Sequence, residues 1–573
     1  MAIRRTIIST RLATGVVLAI SALSPVAALA QGFGDYPVIY RPAKGAKDLR
    51  AVLFNWTWYM GMLRGVDEHE LMTSLEYQGK GSIQVNGQPC TLTNFRVSTN
   101  YQTPGQRVQY TCLRPNGQNY TAVEVVSGHY AWNEDIPGAE IVAGKGKATP
   151  MPGVVEERLI RLWASPQGAP KAALAGVAPT AERGANPATL LQDGAAKAGE
   201  TSVSWEADKP VVTFPIPGVP GAIATATLNA KYMAERVVVK QGAKTTEFTY
   251  GDYQDWNNPL NKVDVLYAGR LSERHDGAVV RDLTTIQTET GSVYVVLPVP
   301  ASVKAAIHTA SEQAAAPKTP AASGETPRMA NGHPDMTGNW NYNAMNWRYG
   351  NRRCGPTQQE GCSRALNQTM DFEFEAPSRF GPNRPLYKPE YWDKIQQLDM
   401  WTNKEDPVMT CQPLGVPREG PPRRIVQSAN DVIFFYGEYV DGGGGYGEYR
   451  VIPTDDRKHD PKKAIEATYM GYTVGHWEGD TLVLDSISFV DTTWLARGGF
   501  FHSDQMHVIE KLTRQGNKIL YEATVEDPES LAEPWVMTPR TLTLSTFADA
   551  GLLRERGNCE VYELKDITSQ IRH

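Results

Sequence analysis

The sequence predicts a mainly β (α+β) chain: an N-terminal curved antiparallel sheet with a covering helix, then a C-terminal antiparallel β-barrel or lipocalin-like cup. Three observations predict this. Short β-branched and aromatic runs, separated by Gly, Asn and Asp turn signals, recur through both halves of the 573 residues. Helical periodicity is read at residues 48–63. Residues 301–334 are rich in Ala, Pro, Ser and Thr and poor in aromatics, so they read as a linker between the halves.

Residues 1–30 stand apart. Arg4 and Arg5 give a positive start, residues 12–29 are mostly small and apolar, and Ala28-Leu29-Ala30 has the A-x-A form that signal peptidase cuts. The segment reads as a secretory signal, cleaved after Ala30, and implies a periplasmic or secreted protein. Pro25 and the lack of a following basic stop argue against a membrane anchor. Arg4-Arg5-Thr6-Ile7-Ile8 leaves both general and twin-arginine export open. Cleavage removes three Arg and no acid, so 543 residues remain and the net charge moves from −6 to −9. With no basic run, nucleic acid is not an expected partner. No later stretch reaches the ~20 apolar residues that span a bilayer, so no transmembrane segment is expected after cleavage.

In residues 36–300, Leu49, Val52, Leu53, Trp56, Tyr59, Met60 and Leu63 repeat at helical spacing behind Asp48, a suitable N-cap. A helix this apolar must be covered. Strands are expected at 75–77, 81–85, 90–100, 107–113 and 121–126, with hairpin turns at Asn86-Gly87 and Asn116-Gly117. Further strands are expected at 211–214, 223–228, 236–239, 247–250 and 293–297. Residues 165–200 form an Ala/Gly/Pro-rich stretch in which Pro170 and Pro187 each suit the start of a short helix.

Six cysteines in an exported chain suggest disulfides. Cys90 and Cys112 lie on neighbouring predicted strands, Cys354 and Cys362 flank a short loop, and Cys411 is left with Cys559. No C-x-x-C pair is present, and neither a metal nor another cofactor is expected.

Residues 335–573 read as a β-meander with strands at 432–439, 449–452, 467–477, 481–489, 506–513, 518–525 and 540–547. Trp477-Glu478-Gly479-Asp480 suits a hairpin turn. A three-residue loop at Gln515-Gly516-Asn517 sets Glu510 directly opposite Glu522, and two like charges ~5 Å apart need an Arg, a shared proton or a ligand. Arg450 on a nearby strand is the expected partner. The alternative is a hydrated face, or a slip of one residue that separates the pair. His459, His476, His502 and His507 all fall in this half, and His502 follows a glycine-containing loop where a general base suits. The expected catalytic set is Glu510, Glu522, His502 and Arg450.

Two family resemblances follow. The apolar helix, the meander, the segment Ser127-Gly128-His129-Tyr130-Ala131-Trp132 and the strand from Glu247 to Tyr253 resemble the LolA-like lipoprotein-carrier fold. The likeness runs over 36–300 and is one of pattern. It implies a half-barrel that holds acyl chains between sheet and helices, although the Ala-rich stretch at 165–200 departs from a minimal version. The second half resembles a group of uncharacterised exported bacterial proteins through Asp335-Met336-Thr337-Gly338-Asn339-Trp340, Cys411-Gln412-Pro413-Leu414-Gly415-Val416-Pro417-Arg418, Gly475-His476-Trp477-Glu478-Gly479-Asp480-Thr481-Leu482-Val483, Phe501-His502-Ser503 and Glu526-Asp527-Pro528. That resemblance implies a shared fold and carries no activity.

The leading functional expectation is a periplasmic protein that binds an apolar or aromatic small molecule or a lipid in β-cup cavities. The alternative is an exported cofactor-independent lyase, isomerase or hydrolase using the paired Glu and the loop His. A third reading is an envelope assembly factor. A binding module calls for a deep pocket with few charges. An enzyme calls for a carboxylate, a His and an Arg in one cleft, and an assembly factor for an exposed apolar patch.

Overall fold

The computed structural model describes residues 42–545 apart from 61–62, 65–68, 71–73, 102, 177–199, 257–265, 292, 307–323, 342–382, 399–405, 437–447, 497 and 538. The expected signal, the helix after Pro187, the Cys354–Cys362 pair and Cys559 lie outside the described residues.

Helix α1 (Leu49–Tyr59) begins where Asp48 Oδ1 accepts from Ala51 N at 3.1 Å. It buries Val52, Leu53 and Trp56 and stops short of the expected Leu63, which lies in β1 (Leu63–Arg64), paired with β2 (His69–Glu70). A first meander follows: β3 (Ser74–Val85), β4 (Gln88–Asn100), β5 (Gly105–Leu113), β6 (Asn119–Ser127), β7 (Tyr130–Glu134) and β8 (Ala148–Pro150). Helices α2 (Val155–Trp163) and α3 (Gly168–Ala175) come next. A second meander holds β9 (Ser202–Glu206), β10 (Lys209–Pro215), β11 (Ala222–Leu228), β12 (Ala234–Gln241), β13 (Lys244–Asp255), β14 (Leu266–His275) and β15 (Ala278–Gly291). Strand β15 pairs with β3, so the two meanders fuse into one antiparallel sheet of thirteen strands.

Local chemistry explains several of these features. Asn86 (φ 52°) and Gly87 (φ 74°) form the two-residue hairpin turn that favours left-handed residues. The two expected strands at 75–77 and 81–85 merge into β3 across an irregularity at Gly81, where φ is 140° and a Cβ would sit 2.0 Å from Asp282 O. Only glycine fits that approach.

The sheet curls around its helices. Helix α2 touches β5, β6 and β7, whereas α3 touches β10 and α1 touches β9, in the opposite wing. Trp56, Leu162, Trp163, Ala172, Phe214 and Val237 meet in the resulting core. Among the described residues, no helix is long and apolar enough to cross a membrane.

Residues 293–297 run between two cores. Val293, Val295 and Leu297 pack with Val125 and Trp132 of the first sheet, while Tyr294 packs with Tyr387 and Phe500 of the second half. Ser74, Asn100 and Ser127 side chains donate to the carbonyls of 293, 295 and 297 at 2.6, 2.8 and 2.9 Å. Helix α4 (Ala301–Ala306) packs on β7 and β8.

The second half comprises β16 (Gly338–Asn341), α5 (Trp392–Leu398), β17 (Arg424–Gln427), β18 (Asp431–Phe435), β19 (Tyr449–Pro453), β20 (Tyr472–Glu478), β21 (Thr481–Ile487), the short pair β22 (Trp494–Ala496) and β23 (Phe500–Phe501), then β24 (His507–Gln515), β25 (Lys518–Glu526), β26 (Trp535–Val536) and β27 (Arg540–Leu544). Its antiparallel sheet runs β19-β18-β17-β16-β27-β25-β24-β21-β20. The end strands return alongside each other, with Gly475 of β20 lying against Pro453 and Thr454. The sheet is thus nearly closed as a barrel. The turn expected at Gly479-Asp480 joins β20 to β21, and Asp480 pairs with Arg328 at 2.7 Å.

Cys90 and Cys112 form a disulfide across β4 and β5, 22 residues apart in sequence. Cys411 is also disulfide-bonded. Replacing Cys90 and Cys112 by Ser should lower unfolding free energy by about 3 kcal/mol in the chain-entropy model, measured by denaturant titration against the oxidised protein.

Candidate functional site

A small cavity lies between the first sheet and α2. Phe248 and Tyr250, two apart on β13, point to the same face. Tyr77 from β3, Tyr101 after β4 and Tyr267 from β14 complete an aromatic wall, with Leu75, Leu271 and Leu283 beside it. The rings of Tyr77 and Tyr267 lie 5.2 Å apart. The space open to the centre of a water molecule is about 40 Å³, room for roughly three waters.

Hydrogen bonds fix this wall to the helices. Tyr250 OH donates to Ala164 O at 2.7 Å, and the Tyr101 hydroxyl meets Ser165 Oγ at 3.3 Å. Burial pushes the Tyr77 phenol up to about 12, and drives those of Tyr250 and Tyr267 well above their ordinary value. The wall is therefore neutral.

One corner is charged but internally matched. Arg161 on α2 donates Nε and Nη2 to Glu273 of β14 at 2.9 and 3.0 Å, and Nη2 also reaches Glu157 at 2.9 Å. Arg281 Nε lies 3.4 Å from Glu273, and His275 Nε2 lies 2.7 Å from it. Burial alone would raise the Glu273 carboxyl; the Arg161 and Arg281 guanidiniums outweigh it and hold it well below the usual range. This fork latches α2 onto the sheet. Among the described residues, Glu157, Glu273 and His275 bring ligand atoms close enough for a metal ion, yet Arg161 and Arg281 already occupy that carboxylate and oppose a further cation.

The expected catalytic residues fall elsewhere: Arg450 does meet Glu510, whereas Glu522 and His502 do not join them. The hairpin between β24 and β25 has a two-residue turn, Gly516-Asn517, with Gln515 opposite Lys518. Gly516 supplies the positive φ of 58° that such a turn takes at its first central position. Glu510 therefore faces Ala523, and Glu522 faces Lys511 on the other side of the sheet. This corrects the expected Glu510–Glu522 pairing: one residue fewer in the loop reverses every side chain of one strand relative to the other.

Glu510 is fully buried in the barrel interior. Arg450 grips it with Nη1 and Nη2 at 2.7 and 2.9 Å, and Tyr521 OH donates to Oε1 at 2.9 Å. Arg450 Nε donates to Tyr436 OH at 2.7 Å. Burial alone would lower the Arg450 pKa, but the Glu510 carboxylate raises it and keeps the guanidinium charged. Val432, Phe434, Leu482, Leu512 and Ile519 fill the interior around them.

His502 is buried, with Nε2 at 2.6 Å from Thr493 Oγ1 and Nδ1 at 2.8 Å from Ser503 O, so both ring nitrogens are engaged. Burial lowers its pKa. His459 and His507 converge instead on Asp485, at 3.0 and 2.9 Å, and His507 Nδ1 meets Glu526 at 3.0 Å. His476 sits beside exposed Glu478 at 3.3 Å.

The sequence reading did not identify the cavity, although Leu75 and Tyr77, and Phe248 and Tyr250, lie on strands it expected. A signal existed in Asp276-Gly277, a hairpin turn that sets Glu273 opposite Arg281. The bulge between Glu273 and Arg274 hides that pairing from simple counting.

No family model matches the sequence, and no curated protein matches it. Among solved structures, a LolA superfamily protein from Nitrosomonas europaea aligns with 44% of this chain and 96% of its own, at 10% identity and a TM-score of 0.24.

Glu510→Gln strands a buried Arg450 and should cost about 3–5 kcal/mol, whereas Glu522→Gln on the outer face should stay within about 0.5 kcal/mol; urea titration of both variants separates them. The His507 pKa is raised chiefly by its hydrogen bond to Asp485, against the opposing effect of burial. Its stabilising contribution should be complete below the unfolded value near 6.5 and fade as pH rises through the higher folded value. Thermal melts from pH 5 to 9 should show this slope in the native protein and a flatter one in His507→Asn.

Proposed function

We propose that this protein is an exported binding protein that holds an apolar or aromatic small molecule or a lipid between the first sheet and helices α1–α3. The observation that carries this reading is the neutral aromatic wall beside a single charge-matched corner. Such a surface favours apolar contact with little competing charge. Export rests on the sequence features of residues 1–30.

At about 40 Å³ the cavity holds no lipid as it stands. A ligand of that size enters only if α2 and α3 move off the wall. The Arg161–Glu273 fork is then the contact to break, and ligand burial must offset its loss. The enzymatic alternative has less support. Glu510 and Glu522 lie on opposite faces, and Glu510 is saturated by Arg450 and Tyr521.

The test is displacement of a fluorescent apolar probe by long-chain fatty acids and by aromatic compounds. Native protein should bind the probe saturably. Leu271→Trp, which fills the cavity from β14, should weaken binding by about tenfold or more. Equal binding by both proteins counts against this cavity as the site.

A further inference from the structure

We infer that the ligand of the first-sheet cavity is an amphiphile ending in one carboxylate, and that Arg161 receives that headgroup. The inference rests on the carrier reading above and names the chemistry the same cavity selects. Arg161 on α2 and Ser165 just beyond its end, four residues apart, both line the cavity. Arg161 is thus the charge that α2 itself brings to it. Moving α2 off the wall breaks two kinds of contact. The bonds from Tyr250 OH to Ala164 O and between the Tyr101 hydroxyl and Ser165 Oγ join neutral groups, and water replaces them. The Arg161–Glu273 fork joins charges, at 2.9 and 3.0 Å.

Opening does not leave the two halves of that fork alike. Glu273 stays on β14 with Arg281 Nε at 3.4 Å and His275 Nε2 at 2.7 Å. Arg281 lies 3.6 Å from Glu124 as well, so the sheet holds it between two carboxylates. Arg161 leaves with α2 and keeps Glu157, through one bond of 2.9 Å to a carboxylate that is half exposed. Arg158, one turn earlier, is committed to Val125 O, Trp132 O and Asn133 Oδ1 at 2.7, 2.7 and 2.6 Å and does not compete for a ligand. The opened site therefore lacks one negative charge with two acceptor oxygens, which is what Glu273 supplies when it is closed. A neutral chain over Arg161 would bury a guanidinium short of a counterion, at a cost. A ligand carboxylate rebuilds the two-bond fork, and its chain then lies along Tyr77, Tyr267 and Leu271. An amine finds no such vacancy, because both remaining partners of Glu273 stay on the sheet.

The experiment compares three ligands of one chain length, dodecanoate, dodecan-1-ol and dodecylamine, as competitors of Nile red on the full chain, below their micelle concentrations and at a pH where the acid is ionised. Dodecanoate should bind about tenfold or more tighter than the alcohol, with the amine no better than the alcohol. In Arg161→Met, checked for folding by circular dichroism, acid and alcohol should agree within about twofold. Arg236→Met, half exposed on β12, should keep the native preference. Equal or tighter binding of the alcohol by the native protein overturns the inference without any variant, and so does a preference for the acid that survives Arg161→Met. In both cases the alcohol still binds, so the carrier reading stands. Failure of Nile red and all three competitors to bind overturns the carrier reading and this inference with it.

Discussion

The second sheet closes on a side-chain strut, not on a backbone ladder. Its end strands β19 and β20 lie side by side without pairing. Arg450 of β19 instead reaches across the interior to Glu510 of β24, and its Nη1 contacts Thr473 of β20 at 3.4 Å. A buried ion pair is a poor source of net stability, because desolvation consumes most of the Coulomb gain. What it gives is a fixed geometry. Both carboxylate oxygens and all three guanidinium nitrogens have partners, with Tyr436 and Tyr521 completing the set. The strut is thereby held in one arrangement among the packed side chains of the interior.

The two sheets are also bound to each other. Period-two alternation in residues 293–297 sends valines and a leucine one way and Tyr294 the other, so five residues belong to two cores at once. Gln396 accepts from Tyr294 N at 3.0 Å, and Arg107 of β5 stacks over Trp392 of α5 at 4.6 Å. A shift of this segment by one residue would exchange the two sets of contacts.

How much was legible follows from how local each determinant is. Asn86-Gly87 and the Asp48 cap could be read directly, because a turn or a cap is decided by two to four adjacent residues. The antiparallel β class was readable for the same reason. The face of Glu510 was not, since it hung on whether Gln515 belongs to the loop or to the strand, and a strand pattern alone does not say. The cavity was less legible still: its aromatic residues come from strands far apart in sequence, and only the curl of the sheet brings them together. His502 looked like a loop base from its glycine neighbours, yet Phe500, Phe501 and Thr493 draw it into the core.

The seam has a further consequence for the chain's solution behaviour. Two strand edges with unpaired peptide groups stand next to each other, and Tyr449 and Val451 give one of them a greasy outer surface. Any event that cuts the strut, such as loss of the Glu510 carboxylate by substitution, frees those edges to recruit strands from other molecules. Loss of this one contact would therefore surface first as self-association of still largely folded chains, ahead of global unfolding.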